Sequence, residues 1–374
     1  MDMPGTDALL SVAQMRRVDE LAIAGGVSGI ELMKTAGRGV ARCIQRRYAA
    51  VPVVVLCGRG MNGGDGFVLA RVLRNAGWKI RLGLLGDRDR LSGDAALAAD
   101  RWRGPVEPAS VGLLRGAGLV VDALFGAGLN RDLEGAGLAL VVAMRDGAAA
   151  GDFKVVAVDV PSGIDGDSGW VRGAAASADL TVTFFRPKPG HLLMPGRVHM
   201  GALRTVDIGI RDAVLAAIAP VQARNTPRSW GSCLASPGAG DHKYRRGHAV
   251  IAAGAVMTGA ARLAAMAARR IGAGLLTIAS PAEVADLYRA GAAGFLVADC
   301  QTPGDFEAAI ADPRRNAILV GPGQGIGPNT RANAEAALGS GRAVVLDADA
   351  LTMFKDQADE LARLATGPLV ITPH

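Results

Sequence analysis

The side chains best placed for chemistry follow three apolar runs. After Val53-Val54-Val55-Leu56-Cys57 comes Gly58-Arg59-Gly60-Met61-Asn62-Gly63-Gly64-Asp65-Gly66, a glycine loop that enters a helix. Such a loop lets backbone N–H groups and a helix N-terminus face an anion closely. Gly58, Gly60 and Gly63 match GxGxxG, and Asp87 follows the next apolar run at a distance suited to gripping a ribose. One reading is therefore a nicotinamide-dependent dehydrogenase. Against it stands Asp65, whose carboxylate at the helix start would repel a pyrophosphate; its other reading is a helix N-cap.

Asp122 ends a second apolar run and Asp159 a third, with Ser162 just beyond. An Asn62 carbonyl, an Asp122 carboxylate and a Ser162 hydroxyl are hard oxygen ligands, suited to a simple cation and not to a soft metal. Each acid taken singly also reads as a turn former. Gly126 to Asp132 is a second glycine loop, in which Arg131 is either a fork of donors for phosphate or a solvated turn residue. Lys188, between Pro187 and Pro189, reads as a loop residue with a solvated ammonium ahead of a proton carrier.

To bring these residues together the chain needs parallel strands joined by right-handed crossovers, which gather strand ends along one edge. Strands are expected at Val53 to Cys57, Lys79 to Leu85, Leu119 to Leu124, Val155 to Val160 and Leu180 to Phe185, each apolar enough for burial on both faces. Ser11 to Tyr48 reads as two helices broken around Gly25, Gly26 and Gly29. Beyond Ile210 the rhythm lapses through Pro220, Pro227 and Pro237, so a linker is placed at 213–240 between domains at 1–212 and 241–374. A second series follows: Ala249 to Ala253, Leu275 to Ala279, Phe295 to Ala298, Ala317 to Val320, Val344 to Leu346 and Leu369 to Ile371.

A length of 374 residues, half of them hydrophobic, suffices for two cores, and 51 glycines with 4% aromatics suit helices packed closely on sheets. The net charge of +6 comes from scattered arginines without basic runs, which argues for an anionic small molecule and against nucleic acid. The four cysteines form no CxxC pair, so reduced thiols are expected and neither a zinc site nor disulfides. Neither a signal peptide nor a membrane-length apolar stretch is visible. The expectation is a cytoplasmic protein that binds no membrane; the sequence allows a homo-oligomer without specifying one.

NGGDG, VDALFGAG, AVDVPSGIDGDSG, TFFRPKPGH and DIGI, in this order over about residues 10 to 212, resemble the NAD(P)H-hydrate epimerase domain. The resemblance implies a doubly wound, Rossmann-like α/β fold that equilibrates R and S epimers of NADH and NADPH hydrated at ring carbon 6. It implies hydrate contacts from Met61, Asn62, Gly63, Gly64 and Asp65, from Gly126, Ala127, Gly128, Leu129, Asn130, Arg131 and Asp132, and from Asp159. A potassium ion would be held by Asn62, Asp122 and Ser162. Met61 replaces the family's usual asparagine, so only a backbone contact would survive there. Asp159, at a strand end beside Ser162, is expected to be the catalytic base.

The C-terminal stretches GHAVIAAG, IGAGLLTIAS, GPGQG, LDADAL and ITPH, from about residue 240 onward, resemble the ADP-dependent NAD(P)H-hydrate dehydratase domain, of ribokinase-like α/β fold. Ala260, Gly325 and His374 would contact the S hydrate, and the complete protein would use ADP with magnesium. The paired acids Asp347 and Asp349 read equally as phosphate or cation handling and as a capped turn. The family's lysine-glycine nucleotide segment and its later glycine-rich stretch with the dehydrating acid are not present. The domain is therefore expected to be partial, and the chain to epimerise without dehydrating. A non-catalytic nucleotide-binding protein is the alternative from another class.

Overall fold

The structure, a computed structural model, describes residues 7–373 apart from 235, 237 and 292. It divides into two units, Met1–Leu234 and Ala235–His374. In the first, the short strand β1 (Ala8–Leu9) precedes β2 (Val53–Cys57), β3 (Ile80–Leu84), β4 (Glu107–Pro108), β5 (Leu119–Ala123), β6 (Lys154–Val158), β7 (Leu180–Phe184) and β8 (Ala202–Val206). These last seven form one parallel sheet ordered β4-β3-β2-β5-β6-β7-β8. Side chains alternate across a strand. Val53, Val55 and Cys57 accordingly enter one core while Val54 and Leu56 enter the other. That double burial explains the uninterrupted apolar runs.

Helices α1 (Val12–Ala24), α2 (Gly29–Arg47) and α3 (Met61–Asn75) pack over one face, and α5 (Gly135–Ala150) over the other; α4 (Gly93–Asp100) packs on α3. Ser11 caps α1 in a reciprocal box with Gln14. The chain runs outward from β2 to β4, then returns to β5 beside β2, so the order reverses between β2 and β5. Ligands of open parallel sheets bind at such a switch point.

The expected strands are all present, with ends shifted by one or two residues. β4 and β8 were missed: β4 is two residues long and contains a proline, and the outer strand β8 is half exposed. Within the segment expected to be a linker, β9 (Gln222–Ala223) pairs antiparallel with β1, and Thr226 Oγ1 donates to Asp7 Oδ2 at 2.8 Å. Residues up to Leu234 thus group with the first unit.

The second unit holds a six-stranded parallel sheet of β10 (His248–Ala252), β11 (Leu275–Ser280), β12 (Leu296–Asp299), β13 (Arg315–Val320), β14 (Ala343–Asp347) and β15 (Leu369–Thr372), ordered β12-β11-β10-β13-β14-β15. β15 lies at the edge with Val370 and Ile371 exposed, where its apolar run had suggested burial. Among the described residues no helix is long and apolar enough to cross a membrane, and all four cysteines are free.

Candidate active site

A cavity of about 960 Å³ opens beyond the ends of β2, β5, β6 and β7 in the first unit. Its size suits a nucleotide-sized ligand. The turn from β2 into α3 is tighter than a glycine loop: only Gly58, Arg59 and Gly60 separate Cys57 from the helix, and Gly60 is the N-cap. A Cβ on Gly63 would lie 1.8 Å from the Gly58 carbonyl oxygen, and one on Gly58 1.9 Å from that of Leu124. These glycines therefore let α3 pack on its own strand end. Asn62, Gly63, Gly64 and Asp65 are helical and buried, so Asp65 is not an N-cap.

Asp65 lines the cavity without a hydrogen bond to its carboxyl among the described residues. Burial, then the nearby carboxylates of Asp159 and Asp19, hold it well above the usual carboxylate range. Both polar atoms of the Asn62 amide are buried without a partner among the described residues. Exposed Met61 also lines the cavity, whereas Gly63 and Gly64 do not; Gly64 packs against Met33 and Ala95.

Asp159 sits just past β6 with φ +67°, a left-handed conformation costly for a non-glycine residue. Its Oδ1 accepts from Lys188 Nζ at 2.5 Å and from Thr183 Oγ1 at 3.0 Å, and its Oδ2 from the Ala127 N–H at 2.9 Å. Burial alone would raise this carboxyl; the Lys188 ammonium, then His191, and the hydrogen bonds from Lys188 and Ala127 reverse that and hold it at about 2. Lys188 is 3% exposed, so the solvated loop residue expected from its flanking prolines is instead a buried cation. The turn of Pro189–His191 brings it inward, and His191 accepts the Lys188 N–H at Nδ1, 2.9 Å away.

Asp122 and Ser162 are fully buried behind the cavity wall. Ser162 Oγ donates to Asp122 Oδ1 at 2.6 Å, the Ser162 N–H to Oδ2 at 2.8 Å, and Phe125 N–H to Ser162 Oγ at 2.9 Å. Burial raises Asp122, against these bonds and that from Leu124 N–H. No basic side chain pairs with it among the described residues. A Cβ on Gly126 would lie 3.1 Å from Asp159 Oδ2 and 3.5 Å from Asn62 Oδ1, so the loop Leu124–Ala127 links all four residues. Gly126 through Arg131 line the cavity; Asp132 does not.

Asp19 went unnoticed in the sequence. It lies on α1 with Val12, Met15, Arg16 and Ile23, all lining the cavity at helical spacing, the stripe that could have revealed it. Arg59 and Arg90 join Arg16 and Arg131 in the lining, a set of cations suited to phosphates. Among the described residues no cluster of His, Cys, Asp and Glu could hold a metal ion. An Asn62–Asp122–Ser162 site would instead be of the alkali-cation type.

In the second unit a Cβ on Gly254, after β10, would lie 1.8 Å from the Gly323 carbonyl oxygen. The two turns therefore touch. Gly325 donates its N–H to Asp349 Oδ2 at 2.8 Å, and Thr372 Oγ1 donates to Asp347 Oδ1 at 2.6 Å, so both acids brace local structure. Ala260, near the start of the helix Thr258–Ile271, is half-buried. His374 lies outside the described residues.

Residues 29–190 match the family model of the YjeF-related protein N-terminus, and residues 249–374 that of NAD(P)H-hydrate dehydratase. A doubly wound domain with its cavity at the switch point, followed by a dehydratase-type α/β domain, defines a two-domain class of nucleotide-processing enzyme. The bifunctional NAD(P)H-hydrate repair enzyme of Coxiella burnetii is 32% identical over 366 residues, covering 96% of this chain and 73% of that protein. Its counterpart from Salinibacter ruber is 36% identical over 407 residues, covering 98% and 73%. The NAD(P)H-hydrate epimerase of Rhodobacter capsulatus is 44% identical over 200 residues, 49% of this chain and 91% of that protein. The chain belongs to the bifunctional NAD(P)H-hydrate repair enzymes, with an epimerase domain followed by a dehydratase domain. Membership sets aside the dehydrogenase and non-catalytic readings. The matches do not bear out the expectation of a truncated dehydratase domain.

Proposed function

We propose that the first unit interconverts the R and S epimers of NADH and NADPH hydrated at ring carbon 6, and that the second belongs to the domain that, in the complete protein, dehydrates the S form with ADP and magnesium. The observation that carries the epimerase assignment to a site is the buried Asp159–Lys188 pair opening onto the switch-point cavity. Carbon 6 of the hydrate carries a hydroxyl and the ring nitrogen. Inverting it requires the hydroxyl to leave and water to return on the other face.

Departure of the hydroxyl leaves positive charge shared between carbon 6 and the ring nitrogen. Asp159, kept ionised by Lys188, would stabilise that charge. A carboxylate held at about 2 accepts protons weakly, so charge stabilisation is a better role for Asp159 than the general base. Met61, Asn62, Asp65 and the Gly126–Arg131 loop would contact the hydrate. Gly63, Gly64 and Asp132 would act only through the shape of the two turns.

Asn62, Asp122 and Ser162 would hold a potassium ion. The partnerless Asn62 amide, the buried Asp122 without a basic partner and the missing Cβ of Gly126 all fit an alkali cation. When bound, it would supply a fixed positive charge beside the glycine turns. Ala260, Gly325 and His374 would contact the S hydrate in the second unit. We place the reaction in the cytoplasm, where thiols such as Cys43 stay reduced.

The test is an assay of separated R and S hydrates with and without potassium and ADP. Either epimer should relax to the same mixture without ADP, and in the complete protein ADP should restore NADH absorbance. Epimers that persist unchanged would overturn the epimerase reading; absorbance that never returns would overturn the dehydratase one.

A further inference from the structure

We propose that Asp19, on α1, is a second catalytic residue of the epimerisation, the group that gives a proton to the departing carbon 6 hydroxyl. This inference rests on the epimerase reading. The reaction needs a proton carrier, and neither member of the Asp159–Lys188 pair is free for it, because each is committed to the other at 2.5 Å. Asp19 lines the same cavity from a different element, helix α1 and not a strand end. Its half-buried carboxyl has neither a hydrogen bond nor an ion pair among the described residues. A carboxyl held in the wall of a ligand cavity without a protein partner is available to the ligand.

Burial in the cavity wall, and not the balance of nearby charges, favours the protonated form. Asp65 on α3 and Asp159 past β6 add negative potential, while Lys188 past β7 and Arg16 one turn back on α1 add positive. Burial, against the attraction of Lys188 and with Asp159 adding to the rise, sets Asp19 at about 6. A group poised there both holds and releases a proton near neutrality, as general acid catalysis requires.

In the step itself the carbon 6–oxygen bond breaks as the nitrogen lone pair forms the carbon–nitrogen double bond. The proton of Asp19 passes to the leaving oxygen, which departs as water. Water then adds to the opposite face of carbon 6, and its surplus proton returns through a second water molecule to the Asp19 carboxylate. Atoms and charge balance, and Asp19 ends as it began.

The test compares wild type, Asp19→Asn and Asp19→Glu on separated hydrates from pH 5 to 8, after subtracting the non-enzymatic rate. For wild type kcat should fall as pH rises through about 6. Asp19→Asn should lower kcat about 100-fold, leave KM within about twofold, and lose that limb. Asp19→Glu should recover part of the rate with its limb displaced, which reads the role even should the asparagine variant fold poorly. A wild type that interconverts the epimers beside an Asp19→Asn variant with unchanged kcat and pH profile overturns the inference alone. A wild type that leaves the epimers untouched overturns the epimerase reading and the inference with it.

Discussion

Lys188 Nζ lies 2.5 Å from Asp159 Oδ1, with both side chains withdrawn from solvent and a shared bond to Thr183 Oγ1. An ion pair this buried gains little net stability, since desolvation offsets most of its attraction. Its effect is to keep a carboxylate charged in the wall of an apolar cavity. The left-handed backbone of Asp159, bonded through His191 and Val182, is the second cost borne at this position.

Lys188→Met tests the pair directly. Removing one partner leaves an uncompensated buried carboxylate, so we expect the first unit to lose about 3 to 5 kcal/mol at pH 7. All four tryptophans, Trp78, Trp102, Trp170 and Trp230, lie in that unit, so urea unfolding followed by tryptophan fluorescence reads it alone. In wild type the depressed Asp159 contributes stability above its unfolded value, lost only as pH falls through about 2. Without Lys188 burial raises Asp159, the sign reverses, and the variant should recover relative to wild type on acidification. A deficit independent of pH would contradict this account.

Gly126→Ala should separate folding from function. The added Cβ would meet Asp159 Oδ2 at 3.1 Å and Asn62 Oδ1 at 3.5 Å, contacts relieved by shifts of a few tenths of an ångström. Stability should change by less than about 1 kcal/mol, because the backbone there is not left-handed. Epimerisation should fall by about 10- to 100-fold, since small misplacements at a reacting centre are costly. The rise in thermal midpoint that potassium gives wild type over sodium should also vanish. An unaltered potassium response would remove Gly126 and Asn62 from the cation site.

Much of this arrangement was legible in the chain because it is written in local pattern. The apolar runs of β2, β5, β6 and β7 report burial on both faces, and the polar residues that end them report the sheet edge. Lys188 was misread because local composition says only that Pro-Lys-Pro is a turn; its inward direction depends on Asp159, 29 residues earlier. The N-cap alternative for Asp65 fails because helix α3 begins within the glycines, where low propensity is overridden by packing against β2 and the end of β5. Asp19 needed only the stripe of α1 to be followed around to its polar member.

Gly63→Ala should unfold more than a lost phosphate loop would. Were Gly63 there to admit a pyrophosphate, alanine would weaken ligand binding and leave stability alone. Its Cβ would instead stand 1.8 Å from the backbone oxygen of Gly58, which the turn cannot move without lifting α3 from β2. We expect a loss of about 3 kcal/mol or more, measured by the same fluorescence transition. Stability equal to wild type would return the glycines to a ligand-binding role.

His191 and Asp19 should pull the acid stability of the first unit in opposite directions. His191 accepts the Lys188 N–H at Nδ1 and faces the Asp159 carbonyl with Nε2 at 2.8 Å, so it is built neutral with its proton on Nε2. Burial, and then the Lys188 ammonium, lower it to about 4. A depressed group gives stability that is complete above the unfolded value near 6.5 and lost as pH falls through about 4, here roughly 3 kcal/mol. Asp19 is raised to about 6, so its contribution is complete below the unfolded value near 3.8 and lost as pH rises through about 6. Acidification from pH 7 to 4.5 therefore costs through His191 what it partly regains through Asp19. Urea midpoints of His191→Gln should lie furthest below wild type at pH 7 and converge with it at pH 4.5. Those of Asp19→Asn should diverge below wild type over the same interval. Two gaps that stay constant with pH would mean that neither group titrates as its surroundings dictate.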